Sequence, residues 1–165
     1  MKIDEVLCTY EVHNGVMSGQ VGKWCRLPYP GHKRGCPNYG RPGCPPDAGS
    51  IFDLLDCDHY YPIYLVCAEF DLDMRAAHMK LRFPAWTEKQ CRNVRHWQGI
   101  VRAQLRLNVR NAMEKLGCNA VTYCPEGLGV NVFATARLAG LKLDKTRRLH
   151  IDHHIALIGT RREGE

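Results

Sequence analysis

The run "YPIYLVCAEF", residues 61–70, passes almost directly into "LDMRAAHMKLRF", residues 72–83. The first is short, apolar and rich in β-branched and aromatic residues, the pattern of a buried strand. The second reads as a helix that Pro84 stops, because proline cannot continue the backbone ladder. A strand feeding a helix is the unit from which α/β sheets are built.

The same alternation continues downstream. Thr87, with Gln90 three residues later, forms a capping-box pattern that opens the longest expected helix, about 88–116. Val94, Trp97, Val101, Leu105, Val109, Ala112, Met113 and Leu116 follow at steps of three and four and predict one buried stripe. Gly117 closes it. "NAVTYC", 119–124, reads as a second buried strand, "GVNVFATARLAG", 129–140, as a helix ended by Gly140, and "HHIALIG", 153–159, as the last strand. Upstream, "IDEVLCTYEV", 3–12, reads as a strand before an Asn14-Gly15 turn, and Ser50 as the cap of a short helix "IFDLLD". The expected fold is α/β: a small, partly parallel sheet with flanking helices.

Between Lys23 and Ser50 no apolar period survives, and proline, glycine and cysteine dominate. The chain therefore reads as one α/β domain over 1–165, carrying a cysteine-rich metal-binding loop at 23–50. Its 165 residues suffice for one ordinary core, and the 45% apolar fraction is that of a globular chain. No apolar run approaches a membrane span. The stretch "MKIDEVLCTYEVHNG" has acids where a secretion signal needs an apolar run, so the expected compartment is the cytoplasm. Nine cysteines in a reducing compartment point to metal binding or catalysis rather than disulfides.

Cys25, Cys36 and Cys44 are separated by ten and seven residues within the loop. Thiolates are soft ligands for zinc, copper(I) or iron–sulfur clusters. In the doubled Gly-Cys-Pro, glycine permits close backbone approach and proline fixes the corner. Zinc modules favour cysteine pairs two to four residues apart, which this loop lacks, so an iron–sulfur cluster of the 4Fe–4S kind is expected, with zinc as the alternative. Cys124, in a third Cys-Pro step, ends an expected strand and precedes a helix. It reads either as a fourth ligand or as a catalytic thiol of lowered pKa, with Glu126 beside it as a general acid or base. Cys8, Cys57, Cys67, Cys91 and Cys118 read as core or incidental.

These residues resemble a known family. The run C…GCPNYG…CPP, followed by "WQGIVRAQLR" and "CPEGLGVNVFATARLAGL", is similar to a family of predicted metal-binding proteins, small cytoplasmic proteins of anaerobes and archaea. The resemblance covers about residues 20–160. It implies Cys25, Cys36 and Cys44 as ligands, with Pro37, Tyr39, Gly40 and Pro45 shaping the loop, and it implies no reaction.

Two functions remain in view. One is an enzyme whose three-cysteine cluster leaves an iron open to a small anionic or sulfur-containing substrate, in non-redox sulfur transfer or desulfurisation. The other is a non-catalytic module, either an electron carrier or a structural-zinc adaptor for nucleic acid or a protein partner. The formal charge of +6 and the arginines Arg92, Arg95, Arg102, Arg106, Arg110, Arg147, Arg148, Arg161 and Arg162 suit an anionic partner, but aromatic residues do not interleave with them as a single-strand binder requires. Of His150, His153 and His154, the first and last share one strand face and are candidate acid–base or zinc groups, while His153 lies on the face of Ile151 and Ile155, and His32 is a candidate neighbour of the metal or a zinc ligand. Asn131, Thr135 and Arg137 are candidates to position a substrate carboxylate or phosphate. No Walker loop, dinucleotide fingerprint or HExxH is present.

Overall fold

The computed structural model describes residues 9–12, 21–28, 32–57, 62–143 and 150–163. Residues 3–8 of the strand expected over 3–12, the Asn14-Gly15 turn, Cys8, Arg147 and Arg148 lie outside them. In chain order come β1 (Thr9–Val12), α1 (Val21–Trp24), α2 (Ile51–Leu54), β2 (Ile63–Asp71), α3 (Leu72–Arg82), α4 (Glu88–Cys91) and α5 (Gln98–Leu116). They are followed by β3 (Ala120–Thr122), a 3-10 turn (Pro125–Leu128), α6 (Val132–Leu138) and β4 (Ile151–Gly159).

The sheet has the order β1-β2-β4-β3, and every neighbouring pair is antiparallel. This corrects the partly parallel expectation. Strand–helix alternation does carry the chain from β2 to β3 in the same direction, since both oppose β4. What the alternation does not encode is adjacency: the long final strand inserts between them and pairs with both.

Both faces of the sheet are covered, which is why β2 reads as a continuous apolar run rather than an alternating one. Val66, Ala68, Ala156 and Ile158 face Trp97 and the α5 residues Val101, Leu105, Val109 and Ala112. Leu65, Cys67, Ile155 and Leu157 face Ile51, Leu55, Val130, Ala136 and Leu141. A smaller cluster of Ala76, Met79 and Cys91 joins α3 to α4.

The long helix does not run unbroken from 88. The Thr87–Gln90 capping box forms, but α4 ends after one turn, and a 3-10 turn over Val94–His96 intervenes. Trp97 leaves helical geometry (φ −139°), is buried and stacks on Phe70 at 5.2 Å. Its indole N–H donates to the Arg92 carbonyl at 3.2 Å. Burying this ring and satisfying its donor decides the break, and Val94, expected in the stripe, is left exposed. Gly117 ends α5 in the left-handed region (φ 70°), and Ser50 caps α2 in a full box with Asp53.

Candidate functional site

The cysteine loop is folded by short backbone bonds around its two Gly-Cys-Pro corners. The Cys36 N–H donates to the Cys25 carbonyl at 2.7 Å, which ties the first two cysteines together. That approach requires Gly35: its φ is +86°, and a methyl group there would overlap the Cys25 carbonyl. The second corner folds back on itself, with the Gly40 N–H on the Pro45 carbonyl at 2.8 Å and the Cys44 N–H on the Arg41 carbonyl at 2.9 Å. Downstream, the Asp56 N–H donates to the Thr160 carbonyl at 2.9 Å, so the chain just beyond the loop is pinned to the end of β4.

Cys124 comes to this loop from the other side. Its N–H donates to Thr122 Oγ1 at 3.2 Å, and its carbonyl accepts from the Gly127 N–H at 3.0 Å. α1, which delivers Cys25, packs against the Pro125–Leu128 turn. Gly127 approaches the loop closely, since a methyl on it would stand 3.1 Å from the Gly43 carbonyl oxygen and 3.2 Å from Cys124 Sγ.

The electrostatics express this convergence. Burial pushes the Cys25 thiol up, and Cys36, Glu126 and Cys44 push it further. Burial likewise pushes Cys124 up, to about 11, aided by Glu126 and Cys44 and only partly relieved by the Gly127 N–H. Cys124 is therefore a neutral thiol at neutral pH, opposite to the lowered pKa expected beside a helix start; a one-turn 3-10 segment has little dipole to set against burial and a carboxylate. Cys36, Cys44 and Glu126 are thus near enough to act on Cys25, and Glu126 and Cys44 near enough to act on Cys124, which places the five groups in one neighbourhood. Among the described residues, no three His, Cys, Asp or Glu side chains stand close enough together to grip a single metal ion. The donor set is soft and anionic when ionised, and a thiophilic cationic centre would relieve its mutual repulsion.

The other described cysteines stand apart. Cys67 and Cys91 are buried in separate clusters. The Cys57 thiol donates to the Leu55 carbonyl at 3.4 Å, and Cys118 packs beside the α5 face.

Glu126 also borders a cavity of about 720 Å³, beside a stretch of β4. β3 pairs only with Leu157–Gly159, so preceding residues of β4 have no strand on that side among the described residues. Side chains from both faces of the strand, His153 and His154, consequently reach the same space. His153 Nε2 lies 3.2 Å from Glu69 Oε1, and His154 Nε2 lies 3.0 Å from Asp152 Oδ2. His150 is elsewhere, with its Nδ1 2.6 Å from Asp73 Oδ2. His32, in the loop, is exposed.

The arginines divide by role. Arg92 is taken up by Glu88 at 2.9 Å and by Asp73, and Arg162 donates to the Phe52 carbonyl at 3.1 Å. Arg102 and Arg106 line the cavity. Asn131 lines it too while capping α6, its Oδ1 accepting from the Ala134 N–H at 3.1 Å. Thr135 is buried and Arg137 exposed. Sequence reasoning missed Trp24 and Tyr123, which also line the cavity. The available signal was position, since each immediately precedes a site cysteine, Cys25 and Cys124.

The geometry defines a class: a small α/β domain whose cysteine loop closes on the turn after an edge strand, beside a cavity. Compared with protein-family models, with curated proteins and with solved structures, the chain matches none at a significant level. No helix among the described residues is long and apolar enough to cross a membrane.

Proposed function

We propose that the chain binds an iron–sulfur cluster, of the 4Fe–4S kind, through Cys25, Cys36 and Cys44, with Cys124 as a fourth ligand or as a thiol beside an open iron. The observation that carries this reading is that the turn holding Cys124 and Glu126 packs against the cysteine loop, through α1 and through the approach of Gly127 to Gly43, near enough for Glu126 and Cys44 to act on Cys124. Thiolates around a cluster each bind a different iron, so they stand farther apart than thiolates sharing one ion. Zinc modules favour cysteine pairs two to four residues apart, and the ten- and seven-residue gaps of this loop supply none.

The cavity beside the thiols favours an enzyme over an electron carrier, because it offers a substrate space bordered by Glu126. A cluster held by three protein thiolates supplies a Lewis-acidic iron, which suits sulfur transfer or desulfurisation of a small anionic substrate. In this reading the chain's part is to position the substrate and to hold a proton on Glu126 or Cys124.

The test is anaerobic purification with iron, acid-labile sulfide and zinc measured per chain, alongside Cys36→Ser and Cys124→Ser. About four irons and four sulfides, lost in Cys36→Ser and kept in Cys124→Ser, support the three-cysteine centre. Loss in both variants gives a four-cysteine site and moves the weight to an electron carrier. One zinc without sulfide overturns the cluster reading in favour of a structural adaptor.

A further inference from the structure

The cavity combines two kinds of wall. Trp24, Tyr123 and Phe133 contribute aromatic surface, all three substantially exposed. Arg102 and Arg106 stand one helical turn apart on α5, either side of Leu105, whose buried side chain anchors that stretch of the helix to the sheet. Neither guanidinium has an ion-pair or hydrogen-bond partner among the described residues, whereas Arg92 and Arg162 do. The histidines at the strand edge are already engaged with carboxylates, and Glu126 lies on the side shared with the thiols. Two guanidiniums without a described partner, lining the same cavity as three aromatic rings, make a recognisable chemistry. They offer forked donors for an oxyanion and flat surface for an apolar body.

We propose that this cavity binds a small organic anion, with its carboxylate or phosphate held between Arg102 and Arg106 and its apolar body packed against Trp24, Tyr123 and Phe133. This names the substrate class of the site proposed above and rests on that reading for the ligand's role, though not for its binding. About 720 Å³ is ample for a ring system bearing one acid group. Asn131, with its side-chain oxygen committed to capping α6, retains its amide N–H groups as donors toward the same ligand.

The test is calorimetric titration of anaerobically purified protein with 2-naphthoate, 2-naphthyl phosphate and the neutral 2-naphthamide. Iron and sulfide are assayed in the same samples. Saturable binding of at least one acid, about tenfold or more tighter than the amide, is expected. The double variant Arg102→Gln/Arg106→Gln should lose that preference, while Arg110→Gln, also on α5, should retain it within about twofold. The preferred acid, carboxylate or phosphate, identifies the headgroup. Equal binding of acid and amide, no saturable binding of either acid, or an equal loss in Arg110→Gln overturns the proposal. Iron and sulfide content reports separately on the cluster. Anion binding by protein lacking iron leaves this inference standing and counts against the cluster, and a loaded protein that ignores both acids does the reverse.

Discussion

Gly127 sits against Gly43 so closely that a methyl on its α-carbon would stand 3.1 Å from the Gly43 carbonyl oxygen. This contact joins the turn after β3 to the cysteine loop, and so brings Cys124 to the other thiols. Gly127→Ala should force a shift of a few tenths of an ångström there. The expected cost is about 1 kcal/mol of stability, as for mild overpacking. Metal content should fall more than the melting temperature does. A variant with unaltered iron and sulfide would show that this approach does not set the site.

Gly35 is a harsher case. Its positive φ and the overlap of any side chain with the Cys25 carbonyl make Gly35→Ala strained from two directions. A cost of about 1–3 kcal/mol is expected, confined to the loop because neither core cluster on the sheet includes a residue from 23–49. Circular dichroism should remain native while bound metal is lost. Full metal content would contradict the role given to the Cys25–Cys36 pairing.

Asn108 ties the long helix to the centre of the sheet, its amide donating to the Cys67 carbonyl at 2.8 Å. Asn108→Ala removes this tie between α5 and a buried strand carbonyl. Urea unfolding should show a loss of about 1–3 kcal/mol with an unchanged m-value. A loss below about 0.5 kcal/mol would mean that water replaces the amide.

Asp152 is held above the usual carboxylate range by burial, against the opposing pull of His154 and His153. Its Oδ2 is buried without a well-aligned hydrogen bond, although His154 Nε2 is 3.0 Å away. A pKa raised in the folded state favours folding below the unfolded value, about 3.9, and that advantage is lost as pH rises through the folded value. Asp152→Asn should therefore melt higher than the parent at neutral pH, with the difference shrinking towards about pH 4. Thermal melts across this range check it, and a variant less stable at neutral pH would show that the His154 pairing outweighs burial.

Much of the local architecture was legible in the sequence. β2, α3, the cap at Ser50, the box at Thr87 and the stop at Gly117 all follow from short-range patterns and occur where those patterns place them. Such signals depend on residues within one turn or one pleat, so neighbours in sequence suffice to determine them. The Thr87 box shows the limit. It forms, but the helix it opens lasts one turn, and Trp97 leaves helical geometry with its ring stacked on Phe70, a partner far away in sequence.

The three loop cysteines were visible as a group because they lie in one segment. That Cys124 and Glu126 join them depends on α1 meeting the turn after β3, a contact between positions about a hundred residues apart. The raised Cys124 thiol follows from that meeting, since burial and neighbouring charge are properties of the packed molecule.

By itself, then, the sequence determined an α/β chain with a thiol-rich loop, since hydrophobic period, capping residues and Gly-Cys-Pro corners act locally. Only the tertiary structure decided that β4 enters between β2 and β3 and makes the sheet antiparallel, and that β3 stops short to leave a cavity at the strand edge. It also decided that, of the α5 arginines, Arg102 and Arg106 face that cavity. Strand order and shared neighbourhoods are set by how much apolar surface the whole chain buries at once, and no single segment carries that information.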